Sequence, residues 1–101
     1  MAIVCDKVRY AVCMKTRELE RIFKAFANAR RLSILSYLKR RKSATVGEIA
    51  EHIRLSFKST SKHLIILRSA GILQFEQSSL EMHYRISGEL PPEARTLLSA
   101  V

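Results

Sequence analysis

Acidic residues are scarce in this chain: nine Asp and Glu stand against 18 Lys and Arg, a formal net charge of +9 over 101 residues. The shortage is uneven, since residues 1–42 carry 12 basic and three acidic groups whereas residues 72–101 carry two basic and four acidic ones. A surface of this sign suits a polyanion, although net charge by itself also serves solubility. Long apolar runs are absent as well; none approaches the length that spans a bilayer, and no membrane partner is expected. Residues 1–15 carry Asp6, Lys7 and Arg9 within their apolar stretches, which is not the order of a secretory signal. With that, two cysteines imply reduced thiols and a cytoplasmic setting.

Glycine numbers three, and no glycine-rich phosphate loop can be built from them. Cys/His and Ser/His pairs at catalytic spacing are missing, as is a paired carboxylate in a pocket-like context, so an enzyme is not expected. Repeats, linkers and low-complexity stretches are also lacking. A chain of this length holds one core, so residues 1–101 read as a single domain.

What is present is a succession of short periodic segments. Glu18 to Lys42 is helical in pattern, with Leu19, Ile22, Phe23 and Phe26 followed by Leu32, Leu35 and Leu38. Asn28 divides it, because an Asn side chain accepts hydrogen bonds from the amides that open a helix. Thr45-Val-Gly-Glu48 fits a capping box and leads Val46, Ile49, Ala50 and Ile53 at helical spacing. Arg54 and Leu55 turn the chain, Ser56 caps a further helix, and Phe57, Thr60, Leu64 and Leu67 form its expected inner stripe up to the stop at Gly71.

Past Gly71 the period becomes two. Leu73 and Phe75 alternate with Gln74 and Glu76, and Met82, Tyr84 and Ile86 alternate with His83 and Arg85, a β-hairpin whose tip is Gln77 to Leu80. Pro91 and Pro92 suit the first turn of a last helix, with Ala94, Leu97 and Leu98 on its apolar side.

The expected fold is therefore mostly α with a small β-hairpin: a winged helix-turn-helix, with an N-terminal segment (1–17), a helix-turn-helix (45–70), a wing (72–87) and a C-terminal helix (91–101). A helix of this kind fits the major groove of B-DNA when an apolar inner face seats it and a small, polar, basic face is left outside. Lys58, Ser59, Ser61, Lys62 and His63 lie off the Leu64/Leu67 stripe and are the candidate contacts to double-stranded DNA. Arg85, on the hairpin, is a candidate backbone contact. Ile3, Val4, Val8, Ala11 and Val12, with the last helix, are apolar enough to predict a homodimer.

Phe26-Ala-Asn-Ala-Arg-Arg-Leu-Ser-Ile-Leu-Ser-Tyr-Leu38, then Val46 to Ala50, then Ser56 to Gly71 with Ser61-Lys-His-Leu64 and Leu67 to Leu73, closely resembles the ArsR/SmtB family of winged-helix repressors. The resemblance runs from about Leu19 to Ser87. It implies a homodimer, paired through its terminal helices, that binds an imperfect inverted repeat and blocks transcription, with its recognition contacts on Lys58, Ser59, Ser61, Lys62 and His63.

Two departures matter. One thiolate metal site of such proteins is a Cys-x-Cys pair at the start of the short helix, where this chain has Thr45 and Gly47. Another uses carboxylate and histidine ligands on the last helix, where Pro92 to Val101 holds Glu93 and no histidine. Tetrahedral zinc or a three-thiolate metalloid site needs more soft ligands than Cys5, Cys13 and scattered His52, His63 and His83 supply, so neither metal nor other cofactor is expected. Cys5 and Cys13 are eight residues apart, roughly one helix face, which keeps redox or metal sensing there as the lesser alternative to buried filler.

The hairpin is acidic, with Glu76 and Glu81 about its tip, rather than basic. The run Lys39-Arg-Arg-Lys42 either reaches flanking phosphates or complements the dipole of the helix it ends. The competing function is a winged helix used as a protein-interaction module, suggested by Ile65 and Ile66 beside Leu64; salt-insensitive binding would distinguish it.

Overall fold

The computed structural model describes the backbone of residues 7–101 and the side chains from residue 16 onward. The elements run α1 (Lys7–Phe26), α2 (Ala29–Arg41), β1 (Ser43–Thr45), α3 (Val46–Ile53), α4 (Phe57–Ser69), β2 (Leu73–Ser78), β3 (Glu81–Ile86) and α5 (Pro92–Leu98). The side chains of Ile3, Val4, Val8, Ala11 and Val12, and those of Cys5 and Cys13, lie outside the described residues.

Local chemistry sets most of the helix ends. Asn28 Oδ1 accepts from the amides of Arg30 at 2.9 Å and Arg31 at 3.2 Å and separates α1 from α2. The capping box closes in both directions: Glu48 N donates to Thr45 Oγ1 at 3.2 Å, and Thr45 N donates to Glu48 Oε1 at 2.9 Å. That amide, chiefly, holds the Glu48 carboxyl below its ordinary value, with Arg41 adding to the effect. Ser56 Oγ accepts from Ser59 N at 3.1 Å and opens α4. Gly71, at φ +80°, turns the chain out of α4 in the left-handed region that a side chain resists.

The hairpin belongs to a larger unit than the sequence indicates. β1 pairs with the free edge of β3, Ala44 opposite Tyr84, so the sheet is three-stranded and antiparallel in the order β1-β3-β2. In β2 and β3, Phe75 lies opposite Tyr84 and Ser78 opposite Glu81, leaving Ser79 and Leu80 as the turn. Ser79 takes φ 58° there.

One core joins these layers: Ile34, Leu35 and Leu38 of α2, Ile49 of α3, Leu64 and Leu67 of α4, and Ile72 are all nearly or fully buried, with Ala94 and Leu98 of α5 closing one side. Lys39 Nζ ties α5 down by donating to the carbonyl oxygens of Leu98 at 3.1 Å and Val101 at 2.9 Å.

Three expected core positions are corrected. Phe23 is 51% exposed and Leu32 37%, because Ile22, Ala25 and Phe26 supply the inner face of α1, and Ile34, Leu35, Tyr37 and Leu38 that of α2. Phe57 is 62% exposed, on the side of α4 that faces the hairpin. The inner stripe of α4 is Thr60, Leu64 and Leu67.

Candidate nucleic-acid interface

A recognition helix works only if its axis is fixed relative to the rest of the protein, and here the fixing starts with the turn before it. Arg54 closes α3 in the left-handed conformation, φ 55° and ψ 52°, and Leu55 N donates back to Ala50 O at 3.0 Å. The carbonyl of Ile53, at the end of α3, is met by Arg30 Nη1 at 3.0 Å. The neighbouring Arg31 reaches three groups: Nε donates to Ala25 O at 2.8 Å, Nη2 to Lys24 O at 2.9 Å, and Nη1 to His63 Nδ1 at 3.1 Å. Two adjacent arginines at the start of α2 thus bind the end of α1, the end of α3 and the middle of α4. Cations at helix C-termini also oppose the negative end of the dipole.

His63 is consequently an anchored group. Its Nδ1 accepts from Arg31, which places the ring proton of the neutral form on Nε2. Burial, then the charges of Arg31 and Arg30, push its pKa below the ordinary histidine value. A neutral His63 offers an Nε2 donor and no added charge.

The remaining candidates divide by their place on α4. Lys58 and Lys62, one turn apart, are exposed and have no ion-pair or hydrogen-bond partner among the described residues. Ser59 and Ser61 are half-buried on either side of them. Ser61 lines a groove of about 610 Å³ between α4 and the hairpin, with Phe57, Ile65 and Arg68 on one wall and Leu80, Met82 and Tyr84 on the other. Thr45, Val46 and Gly47, at the start of α3, form its end.

Arg85 is not brought into that groove. It sits over the outer side of the sheet, where Nε is 3.5 Å from Glu76 Oε1, and it lines shallower depressions there. The acidic hairpin therefore offsets the arginine it carries. The basic run after α2 is likewise engaged with the fold: Lys39 holds α5, Arg41 Nη1 donates to Tyr37 Oη at 3.3 Å, and Arg41 Nη2 lies 3.7 Å from Glu48 Oε2.

His52 is exposed at its rim but stacks on Tyr37, ring centroids 4.1 Å apart. His83, half-buried on β3, has Nε2 4.0 Å from Glu81 Oε1. Among the described residues no three His, Cys, Asp or Glu side chains converge in a way that would hold a metal ion.

Arg30, Arg31 and Phe57 are the residues of this site that sequence reasoning did not assign. The arginines sit in the first turn of α2, where periodicity marks them only as polar; Ile53 O and His63 Nδ1 are distant from them in sequence, and the end of α1, though only six or seven residues away, comes within reach of Arg31 only once the chain folds back at Asn28.

The family model described as "Bacterial regulatory protein, arsR family" matches residues 28–74, from the cap of α2 to the start of β2. The transcriptional repressor SdpR of Bacillus subtilis is 33% identical over 69 residues, covering 68% of this chain and 76% of that protein. The HTH-type transcriptional regulator Rv0324 of Mycobacterium tuberculosis is 35% identical over 72 residues, 71% of this chain, which spans only 31% of that longer protein. Among solved structures, the homodimeric winged helix-turn-helix DNA-binding domain of a possible ArsR-family regulator from Mycobacterium bovis superposes with a TM-score of 0.76 at 27% identity, covering 94% of this chain and 82% of the other.

Proposed function

We propose that this chain, which belongs to the ArsR family of bacterial regulatory proteins, is a homodimeric transcriptional repressor that binds an inverted-repeat operator through α4. The observation that carries this is the state of α4: its inner face is sealed into the core, its axis is tied to α2 through His63, and its outer face leaves Lys58 and Lys62 unpaired among the described residues. Phosphate contacts fix a protein's register on a duplex and base contacts specify the site, and a helix so held supplies both from one face.

Several further readings go with it. The partner is a second copy of this chain, as in the homodimeric M. bovis domain; pairing of the two copies through their terminal helices is part of the same proposal and rests on the apolar composition of those segments. Two-fold symmetry then places half-sites about 10 base pairs apart or a multiple of that. The protein works where bacterial DNA lies, in the cytoplasm, and not as an enzyme. Release from DNA does not use a thiolate site at the start of α3, since Thr45 is committed to the capping box and Gly47 has no side chain.

A protein-interaction role is the second reading, favoured by the exposure of Ile65 and Ile66 on α4. Selection of bound duplexes from a random library, with the wild-type protein and with Lys58→Ala/Lys62→Ala, separates the two. Enrichment of an inverted repeat that the double variant loses supports the repressor. Absence of enrichment, with no response to the substitutions, supports the protein-interaction module.

A further inference from the structure

The outer face of α4 is not uniformly polar. Phe57 is 62% exposed and Ile65 52%; they are two turns apart with Ser61 between them, and all three line the groove facing the hairpin. Leu80, 97% exposed, stands at the tip of the opposite wall. Phe57 is not among the buried residues of α4, and it begins that helix, where base-contacting residues of such helices lie.

We infer that Phe57 and Ile65 form an apolar row that reads the C5-methyl groups of thymines in the major groove. The inference rests on the DNA-binding function proposed above and names what that surface selects. Among base edges in the major groove, only thymine offers an apolar group. A G·C pair set against Phe57 would instead bury polar N and O atoms with no partner, which is unfavourable. The row thus favours thymine and disfavours guanine and cytosine at the same positions.

Charge decides the occupant. Lys58 and Lys62 lie on the adjoining row, so any surface that covers Phe57 and Ile65 also covers or borders two ammonium groups. An apolar protein surface would strip water from them without compensation, whereas a duplex presents phosphates beside the bases. Arg68 adds a third cation on the same wall, its guanidinium 4.2 Å over the Phe75 ring.

The test uses the full chain and the duplex it enriches from a random library. Each thymine of a half-site is replaced in turn by deoxyuridine, which keeps every hydrogen-bonding group and removes only the methyl. Affinity is expected to fall about three- to fourfold per contacted methyl at one or two positions. In Phe57→Ala and Ile65→Ala the penalty at the matching position disappears, while the urea midpoint shifts only modestly because more than half of each residue's surface is exposed. Wild-type protein that binds thymine and deoxyuridine duplexes equally well, still with steep salt dependence, overturns the thymine row and leaves DNA binding standing. A penalty that persists undiminished in both variants overturns the assignment to these residues. Failure to enrich any duplex overturns the row together with the DNA-binding reading.

Discussion

Arg31→Ala removes the contact set that ties three helices together. Its guanidinium donates to Lys24 O, Ala25 O and His63 Nδ1, the first at the surface and the other two partly buried. A hydrogen bond from a charged donor contributes about 1.5–3 kcal/mol when its acceptor is left unpaired, and less where water can replace it. Because the surface carbonyl of Lys24 can be rehydrated whereas that of the buried Ala25 cannot readily be, the expected loss is about 2–3 kcal/mol rather than the sum of three full bonds. Urea unfolding at fixed protein concentration reads this directly; with a slope of about 1.5 kcal/mol/M, the midpoint drops by about 1.3–2 M. Arg31→Lys should recover less than half, since an ammonium on a flexible stem cannot hold three acceptors at once. A loss of less than about 0.5 kcal/mol in the alanine variant, or full recovery with lysine, would refute the role given to the guanidinium fork.

Other consequences follow from single side chains. His63 titrates below its unfolded value because of burial and the charges of Arg31 and Arg30. As pH falls from 7.5 through about 6.5 the unfolded imidazole takes up a proton that the folded one refuses, so stability declines and then levels off below the folded pKa. Urea midpoints across that range should show the decline in the wild type and a flatter profile in His63→Gln. Thr60 Oγ1 is buried with no hydrogen-bond partner among the described residues, so Thr60→Val should raise stability by up to about 1 kcal/mol in the same assay; a loss would reveal a partner for the hydroxyl. Gly71→Ala meets no neighbouring atom within 4 Å, yet at φ +80° it should cost about 1 kcal/mol through the backbone alone, seen as a lower thermal midpoint.

The parts of the fold legible in the sequence are those made by neighbours in the chain. Asn28, the Thr45/Glu48 box, Ser56 and Gly71 each act within a few residues, and all perform the local role their identity suggests. β1 was not legible: three residues, Ser43–Thr45, carry no usable period, and they are strand only because β3 offers a free edge some forty positions later. Phe57 misled for a related reason. Helical spacing groups it with Thr60 and Leu64, but the side of α4 it occupies faces the hairpin across a groove, a fact of tertiary packing. At the site, Lys58 and Lys62 show themselves by spacing, whereas the clamp of Arg30 and Arg31 depends on which helix ends lie within reach. Arg85 reads as a free cation in sequence because Glu76 becomes its neighbour only when β2 and β3 pair.

The central claim is that α4 meets DNA phosphates through Lys58 and Lys62. The most direct measurement is the salt dependence of affinity for the duplex that selection enriches, comparing wild type with Lys58→Ala/Lys62→Ala. Each lysine that neutralises a phosphate contributes about 0.9 to the slope of log affinity against log salt, so two per protomer in a dimer lower its magnitude by about 3.6 in the double variant. A slope that stays at the wild-type value, whatever happens to the affinity, would contradict the placement of α4 on DNA.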